Sequence, residues 1–130
     1  PKAVDLMMDF AHGPAGHFGG HPVPGLYHLN VGSMLVQNKE IKDTLGVDFR
    51  ACDNYKRGPE IAKKLDLPTI SILGAQDRMC RLKDGKELAN MIKGSEVHII
   101  ENCGHMMLLE EADQTLEILK KFILEKDPIN

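Results

Sequence analysis

Two stretches decide the fold: Pro68-Thr69-Ile70-Ser71-Ile72-Leu73-Gly74-Ala75-Gln76-Asp77 and, further on, Val97-His98-Ile99-Ile100-Glu101-Asn102-Cys103-Gly104-His105. Thr69 to Leu73 is a β-branched run bounded by Pro68 and Gly74, too short for a helix, which predicts a fully buried strand. Between the two stretches, Lys83 to Lys93 carries Leu88, Met91 and Ile92 at helical spacing and stops at Gly94, which predicts a helix. Val97 to Ile100 predicts a second strand. A strand, a helix and a strand within about 30 residues form a βαβ unit, and a short right-handed crossover makes the strands parallel neighbours. Asp77 and His105 then leave the same edge of the sheet. The carboxyl edge of an open α/β sheet is where ligands bind, so an acid and an imidazole meeting there predict a functional site.

Beyond His105, the residues Leu108, Leu109, Ala112, Leu116, Leu119, Phe122 and Ile123 predict one amphipathic helix packed on the face of the sheet. Glu110, Glu111 and Asp113 near its start and Lys120 and Lys121 near its end complement the helix dipole. Asp127 to Asn130 reads as a frayed tail. Upstream, Val4, Met7, Met8 and Ala11 recur at helical spacing until His12-Gly13-Pro14 ends the pattern. His12 to Gly25 is a long Gly/Pro/His loop, of the length expected of a lid or an arm. Val31 to Val36 and Ile41 to Leu45 predict short helices, and Leu45, Phe49 and Cys52 continue a stripe toward Tyr55. Pro59 suits the first residue of a last short helix through Ile61, Ala62 and Leu65. The chain thus divides into a helical segment, residues 1–66, and an α/β segment, residues 67–130, without internal repeats.

The 130 residues are enough for one domain, and the net charge of −3, with both signs interspersed, gives no electrostatic reason to expect nucleic acid or an acidic membrane surface. No run approaches the roughly 18 apolar residues of a membrane span, so a soluble, cytoplasmic protein is the default expectation. Cys52, Cys80 and Cys103 make no even framework and predict no disulfide; their neighbourhoods suggest buried helix or loop positions. Two strands make a marginal sheet, and the chain begins at Pro1. Both facts lead to the expectation of a fragment, or of a subunit whose partner is a missing N-terminal half or a second copy.

A carboxylate that accepts a hydrogen bond from one imidazole nitrogen fixes the tautomer and frees the other nitrogen as a base. Asp77 and His105 suit that pairing. Taken singly, Asp77 is a strand-end turn residue and His105 a Gly-His loop residue; their joint placement favours chemistry. A metal is not expected. His12, His17 and His21 sit on a Gly/Pro loop without a carboxylate or cysteine nearby, and Asp77, Cys80, Cys103 and His105 are acceptable zinc ligands at a spacing that is not a zinc pattern.

The stretch Leu67 to Asp77, followed by Val97 to Met107 and Glu110, resembles the C-terminal part of the α/β-hydrolase fold. In that family the triad acid follows a late strand that ends Gly-x-x-Asp, here Gly74 to Asp77. The triad His follows the last strand in a Gly-His turn, here Gly104-His105, with a Glu five residues on, and a helix closes the fold. The separation of 105 − 77 = 28 residues suits the pattern, and the resemblance covers Pro68 to Leu124. It implies a partial α/β-hydrolase fold in which residues 1–66 are the helical cap or lid. It also implies ester or related acyl-bond hydrolysis of a small-molecule substrate without a cofactor, with Asp77 as orienting acid and His105 as base.

The departure from the family is the nucleophile. Its elbow, G-x-S-x-G, is absent; Ser33 lacks a glycine two residues on, Ser71 lies inside a strand and Ser95 comes after the acid. The chain alone is therefore expected to be inactive. The alternative is a non-catalytic α/β interaction subunit or binding module in which Asp77 and His105 are structural.

Overall fold

The computed structural model describes Leu6, Phe10, Ala11, Gly13 and residues 44–126. The helices expected at Val4 to Met8 (apart from Leu6) and Val31 to Val36, the first three residues of the one expected at Ile41 to Leu45, the loop from Pro14 to Gly25 with His17 and His21, His12, and the tail from Asp127 lie outside the described residues. The elements are α1 (Thr44–Asn54), α2 (Gly58–Ala62), β1 (Ile70–Gly74), α3 (Leu82–Met91), β2 (Glu96–Ile100), α4 (Met107–Glu110) and α5 (Ala112–Lys126). Phe10 and Ala11 are helical, as the N-terminal spacing predicts.

β1 and β2 pair in parallel, with Ile70 opposite Glu96 and Gly74 opposite Ile100. The ladder is continued at both ends, where Glu96 N–H donates to Thr69 O and Ala75 N–H donates to Ile100 O, both at 2.9 Å. The βαβ expectation therefore holds, with one correction to burial. β1 is half-buried along Ile70 to Leu73 and fully buried just at Gly74, because β2 is its one strand partner among the described residues.

α3 packs on the sheet chiefly through small residues, with Met91 and Ile92 of the expected apolar set half-buried. Leu88 is exposed, while Gly85 and Ala89 are buried. Gly85 lets the helix approach β1 closely, since a Cβ there would stand 2.8 Å from Leu73 Cδ2. Gly94 follows the helix with φ +73°, the left-handed conformation that Gly adopts without the Cβ penalty.

The C-terminal helix is two helices, not one. Glu111, with φ −137° and ψ 55°, separates α4 from α5. Two side-chain contacts accompany the break: Glu110 turns back toward the preceding loop, and Thr115, buried, donates from Oγ1 to Glu111 O at 2.8 Å. The inner face of α5 therefore runs through Thr115, with Ile118, Leu119 and Phe122 half-buried, while Leu108, Leu116 and Ile123 are exposed. Lys126 in the last turn pairs with Glu96 at 2.8 Å and, with the hydrogen bond as the main cause, holds that carboxyl below its usual range.

In the helical segment, α1 covers the expected stripe, but Val47, Phe49 and Cys52 are exposed. α2 begins at Gly58, one residue before Pro59, with Arg57 as its N-cap. No helix of the described residues is long and apolar enough to cross a membrane.

Candidate active site

The site is assembled from two loops that leave the carboxyl ends of β1 and β2. Gly74 ends β1 against the loop after β2, and Gln76 N–H donates to Cys103 O at 2.9 Å. One residue later stands Asp77. Its Oδ1 accepts from the N–H groups of Met79 and Cys80, both at 2.8 Å, closing an Asx-type turn that fixes the carboxylate. Its Oδ2 lies 2.9 Å from Nδ1 of His105. The Asp77 side chain is 6 % exposed and the His105 ring 41 %.

One oxygen of the acid is thus bound by backbone and the other faces the imidazole. With Nδ1 carrying the proton toward Oδ2, Nε2 is the acceptor nitrogen, and it meets no hydrogen-bond partner among the described residues. A neutral imidazole so oriented can remove a proton from a hydroxyl brought to Nε2 and return it to a leaving group.

His105 is seated by backbone as well. Ala11 O accepts from His105 N–H at 2.9 Å and from Met106 N–H at 3.1 Å, so the first described segment of the chain reaches this loop. Arg78, next to Asp77, stacks on the Phe10 ring at 4.5 Å from its centroid, a cation–π contact that ties the same segment to the acid loop. Glu110 is buried and accepts from Gly13 N–H at 2.8 Å, Gly104 N–H at 3.0 Å and Met106 N–H at 3.2 Å. Sequence patterning placed Glu110 at a helix start; its position five residues after Gly-His was the one signal of its tie to the loop. Nothing in the sequence marked Phe10 to Gly13 as part of this site.

The cysteines divide differently from expectation. Cys52 and Cys80 are exposed, Cys103 is buried, and all three are free thiols. Cys103 is 0 % exposed, and its thiol is pushed up to about 12, first by burial and then by the negative charges of Glu110, Glu111 and Asp77. A thiol so placed is not a nucleophile near neutral pH. Burial, then Asp77 and Asp84, likewise raise Cys80. No three His, Cys, Asp or Glu side chains converge as metal ligands among the described residues.

A parallel βαβ unit with a carboxylate and an imidazole paired at its carboxyl edge is the architecture of a hydrolase-like α/β protein. The chain is related to the α/β-hydrolase superfamily over part of its length and has a partial α/β-hydrolase fold. It is 33 % identical over 64 residues to proline iminopeptidase of Lactobacillus crispatus, which is 49 % of this chain and 22 % of that protein. It is 35 % identical over 60 residues to monoacylglycerol lipase ABHD6 of Bos taurus, covering 46 % of this chain and 18 % of that protein. The match thus spans about a fifth of each of these curated relatives. Among solved structures, a thermophilic esterase superposes with a TM-score of 0.74 at 27 % identity, covering 97 % of this chain and 46 % of that one. No family model matches the chain.

Proposed function

We propose that this chain supplies the acid and the base of an α/β-fold hydrolase that cleaves an ester or related acyl bond of a small molecule. The observation that carries the proposal is the 2.9 Å contact between Asp77 Oδ2 and His105 Nδ1, made by a carboxylate that is itself held by two backbone N–H groups. In the reaction, His105 Nε2 takes the proton of a nucleophilic hydroxyl as that oxygen attacks the acyl carbon, then gives it to the departing alcohol. Asp77 accepts from Nδ1–H throughout, holding the tautomer and stabilising the imidazolium that forms. Deacylation repeats the cycle with water as the proton donor.

The hydroxyl comes from sequence outside this chain, because none of its serines stands in a nucleophile elbow and Cys103 is buried and protonated. The chain's partner is accordingly an N-terminal half that carries the nucleophile. Residues 1–66 form the cap segment in this scheme, anchored at Ala11 and Gly13 to the loop of His105.

Turnover of a simple aryl ester tests the proposal. This chain alone is expected to be silent, with His105→Ala changing nothing, while in the full-length protein, where the chain is joined to the nucleophile segment, His105→Ala abolishes turnover. His105-dependent hydrolysis by the chain alone would reveal a nucleophile within it, and a fully active His105→Ala full-length protein would remove the base role.

A further inference from the structure

Glu110 is the buried carboxylate that the proposed chemistry does not use. It is 7 % exposed, and among the described residues every hydrogen bond of its carboxylate is to a backbone N–H: Oε2 accepts from Gly13 and Gly104, Oε1 from Met106. Gly104 and Met106 are the two neighbours of His105. The His105 N–H itself donates to Ala11 O, two residues from Gly13. Three consecutive amides, Gly104 to Met106, are therefore held by Glu110 and Ala11 O together. The fit is close, since a Cβ on Gly13 would stand 2.8 Å both from Oε2 and from Gly104 N.

We propose that Glu110 is a positioning residue for His105: its carboxylate fixes the backbone on both sides of the histidine and so aims the imidazole at Asp77. This inference deepens the triad role proposed above and rests on it. The chemistry of the cradle requires a carboxylate. Three converging donors need an acceptor with two oxygens and no hydrogen, which an ionised carboxylate supplies. A glutamine has one oxygen. If that oxygen keeps Gly13 and Gly104, its NH2 faces the Met106 N–H, donor against donor, leaving that N–H with Ala11 O as its acceptor; Met106 shifts away from residue 110, and His105 beside it follows, stretching the 2.9 Å contact to Asp77.

The test compares Glu110→Gln with Ala89→Gly in the full-length protein. Ala89 is buried in α3, so its replacement weakens the fold without touching the loop. Melting temperature, kcat, KM and the downfield proton resonance of the His105 Nδ1–H are read for each. Glu110→Gln is expected to lower kcat about 10- to 100-fold with KM unchanged, and to shift or broaden the Nδ1–H resonance. Ala89→Gly is expected to lower the melting temperature while leaving kcat and the resonance alone. Should Glu110→Gln not fold, Gly13→Ala perturbs one of the three donors and is expected to lower kcat in the same direction by less. The proposal is overturned if the foldable variant of this pair keeps wild-type kcat and resonance, or if Ala89→Gly loses kcat as heavily. His105→Ala, measured alongside, separates the two ideas. If it loses turnover while Glu110→Gln does not, the positioning role alone fails; if it keeps turnover, the triad role fails and takes the positioning role with it.

Discussion

Replacing Gly74 by Ala should disrupt the site from a distance, by pushing apart the two loops that carry the acid and the imidazole. Gly74 is the last residue of β1, and a Cβ there would stand 2.5 Å from Cys103 O, 3.1 Å from Cys103 C and closer still to Gly104 O. All three are backbone atoms and cannot rotate away. Real Cβ atoms essentially never approach within 3.0 Å, so the strand end and the loop must separate by about 0.5 Å at Cys103 (3.0 − 2.5). Overpacking of this kind costs about 1–3 kcal/mol. The separation also strains the Gln76 N–H to Cys103 O bond, 2.9 Å long, worth about 1 kcal/mol. Gly74→Ala is therefore expected to cost about 2–4 kcal/mol. Gly85→Ala is the control, because its Cβ meets the tip of the Leu73 side chain, which can move, and Ala gains about 1 kcal/mol over Gly inside a helix. Its net effect should stay within about 1 kcal/mol. Urea denaturation of the full-length protein, with the slope m checked for constancy, gives both values. If Gly74→Ala is no less stable than Gly85→Ala, the close backbone seat of the His105 loop against β1 is refuted.

Three other expectations follow. Asp77→Asn keeps the shape but replaces an acceptor with a group that can stabilise the wrong tautomer, so kcat in the full-length protein should fall on the order of 10⁴-fold, and a loss under tenfold would deny Asp77 its orienting role. Cys103 holds its proton to about pH 12 in the folded chain, against 9.0 for an ordinary thiol, so it binds more protons folded than unfolded between those values. Its contribution to stability is complete below pH 9 and declines as pH rises toward 12; Cys103→Ala should flatten that decline. At pH 8 iodoacetamide should modify Cys52 readily, Cys80 more slowly and Cys103 just after unfolding; early modification of Cys103 would contradict its burial.

What the sequence made legible depended on where local pattern and tertiary structure agree. The β-branched runs at Ile70 and Val97, with the helix between them, imposed a parallel pair, and a parallel pair brings Asp77 and His105 to one edge whatever surrounds them. Counting large apolar residues failed where small or polar ones do the packing. α3 meets the sheet through Gly85 and Ala89, and α5 turns Thr115 inward, leaving Leu88 and Leu116 outside. The break at Glu111 was hidden because Glu110 reads locally as a favourable helix-start carboxylate. Of its partners, Gly104 and Met106 lie in the loop just before it, but Gly13 is distant in sequence, and no periodicity reports it. Thr69 to Leu73 read as a fully buried strand because its composition suits a central position, whereas its described neighbours cover it in part.

The central claim, that Asp77 and His105 act together as acid and base on an acyl bond, is tested most directly by trapping the acyl-enzyme. The full-length protein is mixed with an aryl ester, quenched in acid after a fraction of a turnover, and weighed by mass spectrometry. Wild type is expected to carry one acyl group per chain, Asp77→Asn to acquire it far more slowly, and His105→Ala to carry none. An acyl group appearing on His105→Ala at the wild-type rate would contradict the account.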